Sequence, residues 1–160
     1  MKLNQFWLLC PLLLCLGWVS QATGADRHAG YYYPEPKEVE TYKARARVLT
    51  DASIARRIGF VTAITLENNQ RPYPPSAVFF AKGDQSQKLI IVSLENGRLS
   101  TIFRVRAYLA SLTAMARTTP VFRDAYVENI LTFFDLVRML GFEQVTVSDG
   151  DQFTHQVVFE

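Results

Sequence analysis

Residues 77–94 read Ala-Val-Phe-Phe-Ala-Lys-Gly-Asp-Gln-Ser-Gln-Lys-Leu-Ile-Ile-Val-Ser-Leu, and this stretch decides the fold. Two short runs of mainly β-branched and aromatic residues flank a Gly-Asp-Gln-Ser turn, a pattern typical of a β-hairpin. Neither run alternates, because residues 78–80 and 89–92 are all apolar. Both pleat faces are therefore apolar, which favours a central strand pair shielded on both sides.

The rest of the chain predicts a second hairpin and about three helices. The hairpin covers residues 142–159 around Asp149-Gly150. Caps and apolar spacing predict helices from Thr50 or Asp51 to Asn69, from Ser100 or Thr101 to Arg117, and from Tyr126 to Leu140 before Gly141. Residues 42–48 alternate as in a basic edge strand, with a helix as the alternative. We expect an α+β fold, a single domain at residues 37–160 whose antiparallel sheet is built from two β-hairpins, about 77–94 and 142–159.

Composition limits the classes of partner. The chain has 160 residues, of which 49% are hydrophobic and 20% charged, as in one globular domain. Its formal net charge is only +2, and no concentrated basic stripe is present, so nucleic acid is not expected as a partner. Both cysteines, Cys10 and Cys15, lie in the first 25 residues. A mature chain without cysteine strongly disfavours a structural zinc site, and no cofactor is expected.

The first 25 residues have the pattern of a signal peptide. Lys2 supplies the positive start, residues 6–19 the apolar stretch, and residues 20–25 small residues with cleavage near Ala22 or Ala25. The apolar stretch is too short and too interrupted for a transmembrane helix. We therefore expect a periplasmic or secreted product without a transmembrane segment. A free product is favoured over a lipid-anchored one, because Leu14 and not a small residue precedes Cys15.

Two proline-stiffened segments carry the candidate binding residues. Residues 26–36 form an extended arm that contains Tyr31, Tyr32 and Tyr33, whose rings either contact a ligand or cover a groove of their own domain. The loop Arg71-Pro-Tyr73-Pro-Pro is stiffened in the same way. If both segments lie against the same side of the sheet, their rings and Arg71 form one amphipathic surface for an envelope protein or a small anionic ligand. Arg104 and His155 are further binding candidates, but Arg104 and Arg106 do not share one helix face and are expected to form a diffuse basic patch and not an anion fork.

The sequence offers little catalytic chemistry. Asp149, Asp151 and His155 lie within seven residues and could form a carboxylate–imidazole site, although Asp-Gly-Asp is more often turn chemistry. Neither His28 nor His155 has metal-ligand spacing, and no glycine-framed serine or glycine-rich phosphate loop is present. We therefore assign no catalytic residue. An exported binding or accessory protein is favoured over a small enzyme that uses Asp149, Asp151 or His155.

The strings at residues 26–34, 71–75, 81–84, 132–135 and 148–150 resemble a group of small exported proteins of α-proteobacteria. The resemblance covers nearly all of the mature chain and implies export. Some members carry the name molybdopterin-guanine dinucleotide biosynthesis protein A, which would imply a cytosolic nucleotidyltransferase. Such enzymes have a glycine-rich nucleotide loop after their first strand, whereas this chain opens with an export signal. The resemblance therefore implies an exported protein of α-proteobacterial lineage, and it does not assign an activity to the chain.

Overall fold

The computed structural model describes residues 35, 36, 38–123 and 131–160. This part of the chain is an α+β structure with one mixed five-stranded sheet and four helices. In chain order the elements are β1 (Glu38–Tyr42), α1 (Ile54–Asn69), β2 (Ala77–Lys82), β3 (Lys88–Ser93), α2 (Ile102–Thr118), α3 (Pro120–Arg123), α4 (Phe133–Met139), β4 (Gln144–Ser148) and β5 (Thr154–Phe159). The predicted signal peptide, its cleavage site, most of the arm with Tyr31, Tyr32 and Tyr33, and the predicted start of the third helix lie outside the described residues.

The strand order is β1-β5-β4-β3-β2. β2 pairs antiparallel with β3, and β4 pairs antiparallel with β5. The prediction of a purely antiparallel sheet is wrong, because β3 pairs parallel with β4 and β1 pairs parallel with β5. The described part of the connection from β3 to β4 contains three helices, and a connection of that length allows the chain to return in the same direction.

Two strand predictions need further correction. The strand predicted over residues 42–48 is found at Glu38–Tyr42, and the chain after it leaves the sheet. β2 lies at the edge of the described sheet and is not central. The expected burial of both pleat faces is nevertheless seen in β3, where Ile91 faces the helices and Ile90, on the other face, is only 2% exposed.

Side-chain caps set the helix boundaries. Thr101 caps α2 as predicted, whereas Ser53, and not Thr50 or Asp51, caps α1 by accepting a hydrogen bond from the backbone of Arg56. Thr132 caps α4, so the described helix begins at Phe133 and not at Tyr126. The four-residue helix α3, which follows Thr119, was not predicted and raises the count from about three helices to four.

The described helices pack on one face of the sheet. Phe79 of β2, Ile91 of β3 and Val147 of β4 point to this face and join the main apolar cluster. Phe60 of α1 packs edge-on against Phe122 and Phe142 there, with ring centroids 5.6 and 6.3 Å apart. The result is a two-layer arrangement in which the connecting loops collect at the two ends of the strands.

Hydrogen bonds to the side chain of Asp135 connect the segment after β1 to helix α4. Its carboxylate is fully buried and accepts hydrogen bonds from the backbone N–H of Arg45 at 2.8 Å and from Arg45 Nη2 at 3.1 Å. It also accepts from the backbone N–H of Thr132 at 2.9 Å, which completes a capping box. Burial acts to raise the pKa of Asp135, but the hydrogen bonds from Thr132 and Arg45 together outweigh it and hold the pKa below its usual value.

Candidate functional site

Most of the candidate residues that the structure describes lie at one end of the sheet. This is the end where the parallel strands β3 and β4 finish and where β2 and β5 begin. The loop 70–76, the loop 94–101 and the turn 149–153 therefore share it. Open sheets with parallel strands commonly bind ligands beyond the carboxyl ends of those strands.

Two contacts tie these loops together. The backbone N–H of Leu94, directly after β3, donates to the carbonyl oxygen of Ser76, directly before β2, at 2.9 Å. A Cβ atom on Gly150 would lie 3.5 Å from Val92 Cγ1, so the turn between β4 and β5 lies against the end of β3. Gly150 has φ +81°, a conformation that glycine adopts without strain.

Exposed apolar and basic side chains occur together on these loops and on the first turn of α2. Tyr73 is 80% exposed, Phe103 is 79% exposed and Leu94 is 54% exposed. Arg71, Arg98 and Arg104 are exposed in the same segments. We call this set of six residues the strand-end surface. Tyrosine and arginine are the residue types over-represented at the centres of protein interfaces.

Tyr108 of α2 is partly buried and packs against the apolar core. Its hydroxyl oxygen is buried and has no hydrogen-bond partner among the described residues. Burial raises the pKa of Tyr108, while the side chain of Ser76 and the charges of Arg98 and Arg71 act to lower it. Ser76 is thus close to the hydroxyl, but the two groups do not meet the distance and angle of a hydrogen bond.

The three arginines of the strand-end surface differ in the hydrogen bonds and ion pairs that their guanidinium groups form. Arg98 Nη1 forms an ion pair with Glu95 Oε2 at 2.7 Å, and both side chains are about half exposed. Arg104 Nη1 donates to the carbonyl of Gly97 and to Ser100 Oγ, so it braces the loop that carries Arg98. Arg71 forms no ion pair or side-chain hydrogen bond with any residue that the structure describes. Arg71 is therefore the arginine most available to a ligand.

His155 belongs to a separate cluster. Its Nε2 lies 3.1 Å from Glu40 Oε2, and Arg106 Nη2 lies 3.5 Å from the same oxygen. His155 is nearly buried, and Glu40 is about one third exposed. A carboxylate beside imidazole fixes the orientation of the ring, as in general-base sites. Because Arg106 points to Glu40 while Arg104 points to Gly97, the two arginines form no common anion fork, as expected from their spacing.

Asp149 serves the turn between β4 and β5. Its Oδ1 accepts three backbone hydrogen bonds, from Asp151 at 2.9 Å, Gln152 at 3.0 Å and Phe153 at 2.9 Å. These hydrogen bonds stabilise the turn, which is the more common role of an Asp-Gly-Asp sequence. Within the described part of the chain, His155 contacts Glu40 and does not form a hydrogen bond with Asp149 or Asp151.

The structure thus places Arg71, Tyr73 and Arg104 at the same end of the sheet and His155 in its own cluster with Glu40. Tyr31, Tyr32 and Tyr33 lie outside the described residues. Sequence analysis missed Tyr108, because its spacing in α2 fits the apolar stripe of a helix. It also missed Phe103, whose exposed position at the first turn breaks that stripe and could have served as a signal. Glu40 was missed because it is distant in sequence from His155.

Within the described ranges, no group of three or more His, Cys, Asp or Glu side chains could hold a metal ion. The helices that are described include none with the length and apolar character needed to cross a membrane. In comparisons with known proteins, no protein-family model, no curated protein sequence and no solved structure matches this chain.

Proposed function

We propose that this chain is an exported binding or accessory protein of the bacterial envelope, and that it binds a partner protein through the strand-end surface. The observation that carries the proposal is the pair of highly exposed rings, Tyr73 and Phe103, placed among three arginines. Tyr73 lies on a loop that prolines stiffen, and Phe103 lies on a helix. Because the backbone is already ordered at both positions, little backbone conformational entropy is lost when the two rings bind a partner. The signal-peptide pattern of residues 1–25 and the resemblance to exported proteins support the envelope location.

The mixed character of the surface favours a protein partner over a purely apolar ligand. Aromatic rings supply contact area, and guanidinium groups select carboxylates or phosphates by paired hydrogen bonds. Arg71 fits this role because it is exposed and forms no ion pair within the described residues.

Affinity capture with paired variants tests this function. The tagged mature protein should recover one partner from the envelope fraction of its native host, and Tyr73→Ala with Phe103→Ala should abolish that recovery. The control combines Val48→Ala with Ile58→Ala, which also removes exposed apolar side chains, 43% and 48% exposed, away from the surface. Equal recovery by the two double variants, or no recovery by the unaltered protein, would contradict the proposal.

A second candidate function is a small periplasmic enzyme that uses Asp149, Asp151 or His155. The observation in its favour is the 3.1 Å contact between His155 Nε2 and Glu40 Oε2, which would suit a general base. Screening the protein against ester and phosphate substrates tests it: any activity should be lost in His155→Gln and retained in Asp151→Asn. A nucleotidyltransferase is not proposed, because residues 43–53 after β1 contain no glycine for a nucleotide loop.

A further inference from the structure

We propose that the side of helix α1 that points away from the core is a dimer interface, and that it packs antiparallel against α1 of a second copy of this chain. This side of α1 shares no residue with the strand-end surface, so the inference goes beyond the proposed function. Each strand-end surface binds its partner on its own, and recovery of that partner should not require the dimer.

The side of α1 that is exposed to solvent carries no charged side chain. Arg57, Phe60, Ile64 and Asn68 are buried on the opposite side, toward the core. The exposed residues from the first to the fourth turn, which we call the outer face, are Ile54, Ala55, Ile58, Gly59, Thr62 and Leu66. A surface helix normally presents charged residues to solvent. An uncharged outer face is therefore typical of a helix that packs against a second element.

Gly59 lies at the centre of the outer face. A Cβ atom on Gly59 would meet no atom within 4 Å, so no contact that the structure describes requires a glycine here. Glycine inside a helix is less favourable than alanine. The absence of a side chain at this position allows the backbone of a second helix to approach closely.

The charges on α1 oppose its own dipole. Arg56 lies in the first turn, which has no acidic residue, and Glu67 lies in the last turn, which has no basic residue. A helix dipole favours the reverse arrangement. Glu67 forms no ion pair with any residue that the structure describes. Arg56 pairs with Asp51 at the surface, and an exposed pair of this kind is weak enough to exchange.

An antiparallel second copy satisfies these charges. Arg56 and Glu67 are about three helical turns apart and lie on the same flank of α1. A two-fold axis through the middle of α1 brings Arg56 to Glu67 of the partner subunit, and the same contact occurs twice. Each charge then lies beside the end of the neighbouring helix whose dipole it suits. The charges therefore favour a second copy of this chain over an unrelated partner.

The apolar residues of the outer face fit the same axis. Leu66 near one end lies opposite Ala55 of the partner subunit, so a large side chain meets a small one. One helix from each copy buries less than the roughly 1,200 Å² of a standard interface, which is typical of a weak dimer. We therefore expect self-association at micromolar concentrations and above.

Sedimentation velocity of the mature protein over a range of about 1 to 200 μM tests the inference. The sedimenting species should change from monomer to dimer as concentration rises. Leu66→Ala should raise the dissociation constant by about tenfold, because it removes apolar contact from both copies. The matched control is Leu94→Ala on the strand-end surface, whose side chain is also 54% exposed; it should change the constant by less than about twofold.

Charge reversal gives a second measurement that does not depend on loss of folding. Arg56→Glu and Glu67→Arg each place on α1 a charge that its dipole favours, so neither should destabilise the monomer. Each variant alone should dimerise about tenfold more weakly, because like charges then meet across the axis. A mixture of equal amounts of the two variants should dimerise as the unaltered protein does, because opposite charges meet again.

Three results would overturn the inference. The first is a monomer at every concentration. The second is a dimer that Leu66→Ala and Leu94→Ala weaken equally, and the third is a mixture of the charge variants that dimerises no better than either alone. If the protein stays monomeric and Leu66→Ala loses the partner that the unaltered protein recovers, the outer face belongs to that partner and not to a second copy.

Discussion

The backbone N–H of Leu94 donates a 2.9 Å hydrogen bond to the carbonyl oxygen of Ser76. This bond continues the β2–β3 ladder by one residue beyond Ser93 and Ala77. It therefore joins the loop that carries Arg71 and Tyr73 to the loop that carries Arg98. The second loop leads directly into α2, so the same hydrogen bond also connects the Arg71 loop to the start of this helix.

Removing the Tyr108 hydroxyl should not destabilise the protein. The oxygen is buried without a hydrogen-bond partner among the described residues, so Tyr108→Phe relieves a desolvation cost and should leave the free energy of unfolding unchanged or raise it by up to about 1 kcal/mol. Tyr42→Phe is the matched control, because the Tyr42 hydroxyl lies 3.0 Å from Thr132 Oγ1; it should lose about 1 kcal/mol. Urea unfolding measures both. A loss above about 1 kcal/mol for Tyr108→Phe would show a structural partner for the hydroxyl.

Asp135 should make stability depend on pH. Hydrogen bonds from Thr132 and Arg45 hold its pKa below the ordinary value of 3.8, so the ionised carboxylate stabilises the folded state above that value. This contribution should disappear as pH falls through the lowered pKa of the folded state. Asp135→Asn should cost about 2 kcal/mol at pH 7, and this cost should shrink below about pH 4.

The control for Asp135 is Asp51→Asn, which removes one side of the exposed Asp51–Arg56 ion pair. Exposed pairs contribute little, so its cost at pH 7 should stay below about 1 kcal/mol. Urea unfolding of the three proteins between pH 3 and pH 7 gives the comparison. A cost of Asp135→Asn that stays constant over this range would show that ionisation of Asp135 does not contribute.

Local features of the fold could be predicted from the sequence, but the pairing of distant elements could not. Thr101 as the cap of α2 and Gly141 after α4, with φ +82°, follow from short-range preferences and are confirmed. The parallel pairing of β3 with β4 depends on how three helices pack between them, and strand composition alone does not report it. Tyr73 could be predicted from its prolines, whereas Tyr108 could not, because a tyrosine in an apolar stripe gives no sign that its hydroxyl lacks a partner.

Truncating Phe79 should remove a large part of the stability. Its side chain is 5% exposed and lies in the cluster between sheet and helices, so Phe79→Ala should lower the free energy of unfolding by about 3 to 5 kcal/mol. Phe103→Ala deletes the same atoms from a side chain that is 79% exposed and should cost less than about 0.5 kcal/mol. Similar losses for the two variants, measured by urea unfolding, would show that the core is misassigned.

Export should remove the first 22 to 25 residues. The positive start, apolar stretch and small residues at 20–25 match a signal peptide with cleavage near Ala22 or Ala25. Intact-mass analysis of protein purified from its native host should find the mature chain beginning between Thr23 and Asp26. A full-length product in the cytoplasmic fraction would contradict export.

Site-specific photo-crosslinking in the native host tests the central claim, that the strand-end surface binds a partner, most directly. A photoreactive phenylalanine at Tyr73 or Phe103 should give the same crosslinked partner, because both exposed rings lie on this surface. The same group at Val48 or Ile58, which are also exposed but lie elsewhere, should give no such product. Crosslinks to that partner from Val48 and Ile58, with none from Tyr73 and Phe103, would contradict the account.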